Sequence, residues 1–180
     1  MKMITEYQTV VPMEVRIPTY WSTKHDAVLQ TMNGKLVASV HRVIRYSKRF
    51  LGIPFSHMET LECFLRGAST PLCSVDLHAR FPLEFRSPDG ASVGLLCPKP
   101  LSIVPEYEFF GQDGQPFGRL RIGIQHADIM CLDQEARLAV TTSRLIKGPR
   151  QVVWQCTSAN TSVIDIRLLM AFIALGQMDA

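Results

Sequence analysis

Apolar and polar residues alternate in short runs along most of this chain, and the alternation ends at one place. From Leu168 to Leu175 every residue is apolar, and nothing breaks the run from Val163 until Gly176. Leu, Met and Ala dominate it, so it reads as a helix. The expected span is 162–178, with Ser162 as cap and Asp165 as the acidic partner of a capping box. A helix without a polar face is surrounded by protein or by lipid. Spanning a bilayer takes about 20 apolar residues. This run is shorter and carries Asp165 and Arg167 near its start, which favours enclosure by the rest of the chain over a membrane span.

The upstream sequence is built of hairpins. Ala27 to Val40 is two strand-like runs around Asn33-Gly34, a dipeptide suited to a tight turn because both residues accept positive φ. Leu83 to Leu95 repeats the plan around Pro88-Asp89-Gly90, and Tyr107 to Ile122 repeats it around Asp113-Gly114. Leu61 to Leu72 and Asp128 to Val140 are weaker copies. About five hairpins spaced roughly twenty to thirty residues apart suggest an all-β barrel or sandwich. A sandwich would pack the helix on its side. A closed barrel removes exposed strand edges and supplies an apolar interior, so it accounts better for a helix with no polar face. Residues 1–23, with Pro12 and Pro18, read as an arm or a first strand, and 24–180 as the main domain.

At 180 residues and 47% hydrophobic, the chain can bury one core. The net charge of +3 permits attraction to anionic lipid without demanding it, and gives no ground for a specific nucleic-acid partner. The five cysteines, at 63, 73, 97, 131 and 156, contain no CxxC spacing and are odd in number. Neither a disulfide framework nor a zinc site is indicated, and reduced thiols of a cytoplasmic or nuclear protein are expected. Met1 to Tyr7 lacks the continuous apolar stretch of a signal peptide.

Catalysis is not expected. The histidines are scattered, and no HExxH, nucleophile elbow or P-loop occurs. His126 and Asp128 share a strand face at most. Two basic clusters stand out instead. Arg42, Arg45, Lys48 and Arg49 are interleaved with Ile44, Tyr46 and Phe50, a mixture that suits anionic headgroups and the membrane interface. It also suits an ordinary solvated strand. Arg144, Lys147 and Arg150 surround Gly148-Pro149.

The hairpins and final helix resemble the phospholipid scramblase family, within the tubby-like and LURP-one group. The best match is Pro82 to Gly94 running on to Val104-Pro105-Glu106-Tyr107-Glu108-Phe109. Asp128 to Ile146, Lys24 to Val40 and Ile164 to Met178 are similar to the next hairpin, the opening hairpin and the C-terminal helix of that family. The resemblance implies a barrel of about twelve strands around the helix, peripheral or single-pass membrane association, and phospholipid binding with a part in transbilayer phospholipid movement. It makes Cys73 a possible acylation site and Arg144, Lys147 and Arg150 a possible nuclear-import cluster. It also implies weak calcium binding just before the helix. There, residues 155–165 offer one carboxylate, Asp165, whereas calcium takes six to eight oxygens, so no metal or cofactor is expected. The alternative expectation is an intracellular protein-interaction or nuclear module on the same fold, without lipid transport.

Overall fold

Gly34 and Gly90 sit at φ +80° and +85°, a backbone region nearly closed to other residues. Each reverses the chain where the sequence places a hairpin turn. The computed structural model describes residues 7–19, 26–50, 53–78, 80–132, 138–147, 151–158 and 163–178, with the backbone alone of 46–50, 53–57, 132, 138–147 and 178. The strands are β1 (Gln8–Val10), β2 (Met13–Pro18), β3 (Ala27–Thr31), β4 (Leu36–Phe50), β5 (Ile53–Leu65), β6 (Cys73–Asp76) and β7 (Leu83–Arg86). They continue with β8 (Ser92–Pro98), β9 (Glu106–Phe110), β10 (Pro116–Ile122), β11 (His126–Leu132), β12 (Leu138–Lys147), β13 (Gln151–Ser158) and β14 (Val163–Asp165). One helix, α1 (Ile166–Met178), follows.

The chain is mainly β, with one large antiparallel sheet. Each of β2 to β13 pairs with two neighbours, in the order β10-β11-β12-β13-β2-β3-β4-β5-β6-β7-β8-β9, and β9 also pairs with β10, so the ladder closes. Eleven of these pairings join strands consecutive in the chain, and the twelfth joins β13 to β2, with Trp154 opposite Val15. Of the two readings for residues 1–23, arm or strand, the described part is strand: β2 belongs to the ring, and β1 pairs with β14 beside it.

Alternation sorts the wall into two faces. Met13, Val15, Leu29, Val40, Leu61, Leu83, Phe85, Leu96, Phe109, Leu120 and Ile129 are buried on the inner face. Between them the strands present Glu14, Arg16, Gln30, Glu62, Glu84, Arg86, Glu108 and Arg119 outward. The helix fills the interior. Ile166 and every residue from Leu168 to Leu175 is at most 3% exposed. Trp154 meets Phe172 edge-on with ring centroids 4.8 Å apart, and a Cβ built on Gly118 would come within 2.5 Å of Leu168 Cδ2. Close approach of wall and helix therefore depends on that glycine.

The helix begins later than its sequence suggests. Residues 163–165 are strand, paired with Gln8–Val10. Asp165 is the cap: its Oδ1 accepts the backbone N–H of Arg167 at 2.8 Å. The N–H of Ile166 is taken by the carbonyl of Tyr7 at 2.7 Å. Ser162, the expected cap, lies outside the described residues. The Arg167 guanidinium then closes this end. It reaches Asp165 Oδ2 at 2.7 Å and donates to the Val93 carbonyl at 2.8 Å. It also lies 4.3 Å from the ring centre of Tyr7 and 4.4 Å from that of Phe117.

Gly94 serves the aromatic part of the core. Phe109 packs between Phe85 and Phe117, 4.9 Å from each ring centre, and a methyl at Gly94 would overlap the Phe109 ring. Gly94→Ala is expected to destabilise the fold by about 1–3 kcal/mol, the usual range for overpacking. Denaturant unfolding checks this. A midpoint equal to that of the parent would show that Phe109 has room to move.

Candidate functional site

Because every neighbouring pair is antiparallel, successive connections alternate between the two ends of the ring. The connections β3–β4, β5–β6, β7–β8, β9–β10 and β11–β12 share one end with Arg167 and the helix start. The connections β2–β3, β4–β5, β6–β7, β8–β9, β10–β11 and β12–β13 share the other. The tight glycine turns lie at the first end. The second end carries exposed Phe81, Leu101, Ile103, Val104 and Ile124 together with the first basic cluster, whereas at the first end Met32 and Leu36 are exposed beside the β3–β4 turn.

The first cluster stands on a ribbon and its base. β3 pairs with β4 only as far as Val40, and β6 pairs with β5 only from Thr60. Above the pairing of Ile44 with Glu59, whose carbonyl still accepts the Leu77 N–H at 2.8 Å, residues 45–50 and 53–58 pair with each other alone and project past the ring. At about 3.3 Å per residue, the reach is on the order of 20 Å. Arg42 bonds Glu59 through Nε at 3.1 Å and through a terminal nitrogen as well. Arg45 bonds Glu62 at 2.7 Å and stays 67% exposed in its side chain. The ribbon's upper strand carries Lys48 and Arg49, whose side chains lie outside the described residues. Met58 is exposed on the same ribbon, and Ile44 at its base.

The next three connections around the ring carry apolar tips. In β6–β7, exposed Arg80 precedes Phe81, which stacks on Tyr107 with centroids 5.6 Å apart. In β8–β9, Leu101 and Ile103 are fully exposed and Val104 partly so. In β10–β11, Ile124 is 91% exposed. The β8–β9 loop is held at its base. Lys99 N–H bonds the Glu106 carbonyl at 2.8 Å, and Ile122 N–H bonds the Pro105 carbonyl at 3.0 Å. Beneath it lies an ion network. Glu106, 7% exposed, meets Lys99 Nζ at 3.3 Å and Arg119 Nε at 3.2 Å, with Arg121 at 3.8 Å. Arg119 also bonds Glu108 at 2.9 Å.

Beyond Ile124 comes the second cluster. Arg144 and Lys147 lie on the half of β12 nearest this end, their side chains outside the described residues, as is the whole of Arg150. Two basic segments distant in sequence therefore flank one arc of apolar tips. Sequence reasoning passed over Phe81, Leu101, Ile103 and Ile124. The available signal was Pro98-Lys99-Pro100-Leu101-Ser102-Ile103-Val104-Pro105, where apolar residues sit in a Pro-bounded stretch that cannot be an inner strand.

Cys73 lies on the inner face of β6, fully buried, with its thiol 3.4 Å from Met170 Sδ. Burial raises its pKa far above the ordinary thiol value, and burial pushes that of Cys63, its cross-strand partner, up to about 12. In the folded protein an acyl chain has no route to this sulfur. His126 and Asp128 lie opposite Arg144 and Thr142 on β12. Among the described residues, no three of His, Cys, Asp and Glu gather as a metal site. No family model matches the chain, and no curated protein or solved structure matches it either.

Proposed function

We propose that the protein binds anionic phospholipid membranes peripherally, docking by the end that carries Leu101, Ile103 and Ile124. The observation behind this is the juxtaposition itself: apolar side chains held out in water on successive loops, bordered on both sides by cation-rich segments. Exposed apolar clusters with a polar rim mark interaction surfaces. Apolar tips enter the headgroup boundary while each nearby cation adds about 1 kcal/mol on an anionic surface. Arg42 and Arg45 are partly offset by Glu59 and Glu62, so the apolar tips supply the depth and the cations the choice of lipid.

Other features agree. The outer wall is charged and the interior apolar, the reverse of a membrane-spanning barrel. No helix of the described residues is long and apolar enough to cross a membrane. Strands surrounding an apolar C-terminal helix support the scramblase-like reading at the level of architecture. The same packing argues for binding rather than transbilayer movement, since an interior filled by the helix offers a headgroup no polar path.

The test is sedimentation with phosphatidylcholine vesicles, with and without phosphatidylserine. Binding is expected only to the anionic vesicles, and it should weaken as salt rises. Failure to bind at low salt would overturn the proposal and leave the interaction-module alternative.

A further inference from the structure

Independently of membrane docking, the outer face of β3 and β4 carries a second arrangement. Asp26 directly precedes β3, and the register of Ala27 with Val40 brings it beside His41. Ser39 and His41 lie two apart on β4 and so share its outer face. His41 Nδ1 is 3.1 Å from Asp26 Oδ1, and His41 Nε2 is 2.9 Å from Ser39 Oγ. A carboxylate only accepts hydrogen bonds, so Nδ1 carries the proton facing Asp26. In the neutral ring Nε2 is then left as an acceptor, and the Ser39 hydroxyl donates to it. The Phe64 ring meets the imidazole edge-on, centroids 4.9 Å apart at 81°, and fixes its plane.

This is the bonding order of an activated serine: nucleophile to base, base to orienting carboxylate. It also opens on a space for substrate. A hollow of about 380 Å³ is lined by Ser39 and His41 with Leu36, Val43, Phe64 and Leu65. Arg66 brings a cation to the same hollow, and the carboxylate of Glu62, which also lines it, is engaged by Arg45. The apolar wall suits an acyl chain, and Arg66 suits the negative charge that develops on a carbonyl oxygen.

We propose that Ser39, His41 and Asp26 form a hydrolytic site for carboxylic esters with a short apolar acyl group. Ser39 Oγ bonds to the carbonyl carbon as its proton passes to His41 Nε2. The bond to the alcohol oxygen breaks, and the alcohol leaves with that proton. Water then attacks the acyl-serine, passing a proton to Nε2. Ser39 recovers it as the acid departs. Ser39 and His41 are the catalytic residues, and Asp26 is a positioning residue that acts through the ring.

The experiment uses the full chain with p-nitrophenyl butyrate and, separately, a fluorophosphonate probe. Turnover and covalent labelling at Ser39 are expected. Ser39→Ala should remove the label and lower kcat/KM by at least about 100-fold. Asp26→Asn should lower kcat by about 100-fold or more with KM nearly unchanged, and its residual rate should climb with hydroxide rather than level off. Circular dichroism of each variant must match the parent. Hydrolysis that persists in Ser39→Ala, or a natively folded parent that neither turns over nor labels at Ser39, overturns the proposal.

Discussion

Replacing Leu101, Ile103 and Ile124 together by Asp is expected to abolish sedimentation with phosphatidylserine vesicles while leaving the thermal midpoint unchanged. These side chains are exposed and support no core packing, so the fold loses nothing with them. On a membrane the balance differs. Full burial of one such side chain is worth about 1.5–3 kcal/mol, and a charge at the same depth adds a cost of its own. Even partial insertion of three side chains gives at least about 3 kcal/mol, more than a hundredfold in partitioning. The Lys99–Glu106–Arg119 network holds the loop base in both proteins, so the loss reports on the tips. Unchanged binding would place the docking surface elsewhere, with the ribbon as the next place to look.

Phe172→Ala is expected to cost about 3–5 kcal/mol, the range for removing a buried aromatic ring. For a chain of this size each kcal/mol lowers the midpoint by about 2–4 °C, so the drop should be about 6–20 °C. Phe172 is 3% exposed, and its partner Trp154 sits on β13, the strand that completes the ring. Removing the phenyl opens a cavity between helix and wall that closely packed neighbours cannot collapse to fill. Thermal unfolding followed by tryptophan fluorescence measures this. A drop of less than about 3 °C would mean that the helix does not pack tightly inside.

Much of this architecture is written locally. Asn33-Gly34, Pro88-Asp89-Gly90 and Asp113-Gly114 mark their turns because positive φ at Gly34, Gly90 and Gly114 is a property of a few adjacent residues. The inner face is legible for the same reason, since alternation is a property of one strand. The apolar run from Leu168 to Leu175 announces a helix needing cover on all sides. The site was less legible. Arg42 and Arg45 were visible as a basic stretch, but not as standing at the base of a projecting ribbon, nor as partners of Glu59 and Glu62 from the opposite strand. Asp26, Ser39 and His41 carry no recognisable spacing, because the register of β3 against β4 brings Asp26 to the other two.

By itself the sequence determined the hairpins, their turns, the apolar face of each strand and the existence of the C-terminal helix. All of these depend on neighbours within a few residues. The tertiary structure decided what closes the ring, where the helix starts and which loops share an end. β2 meets β13, and β1 takes residues 163–165 from the expected helix, through pairings between opposite ends of the chain that no local pattern specifies. The same closure gathers Phe81, Leu101, Ile103 and Ile124 between two basic segments. Antiparallel order sends every second connection to one end, and only the ring order makes those connections neighbours.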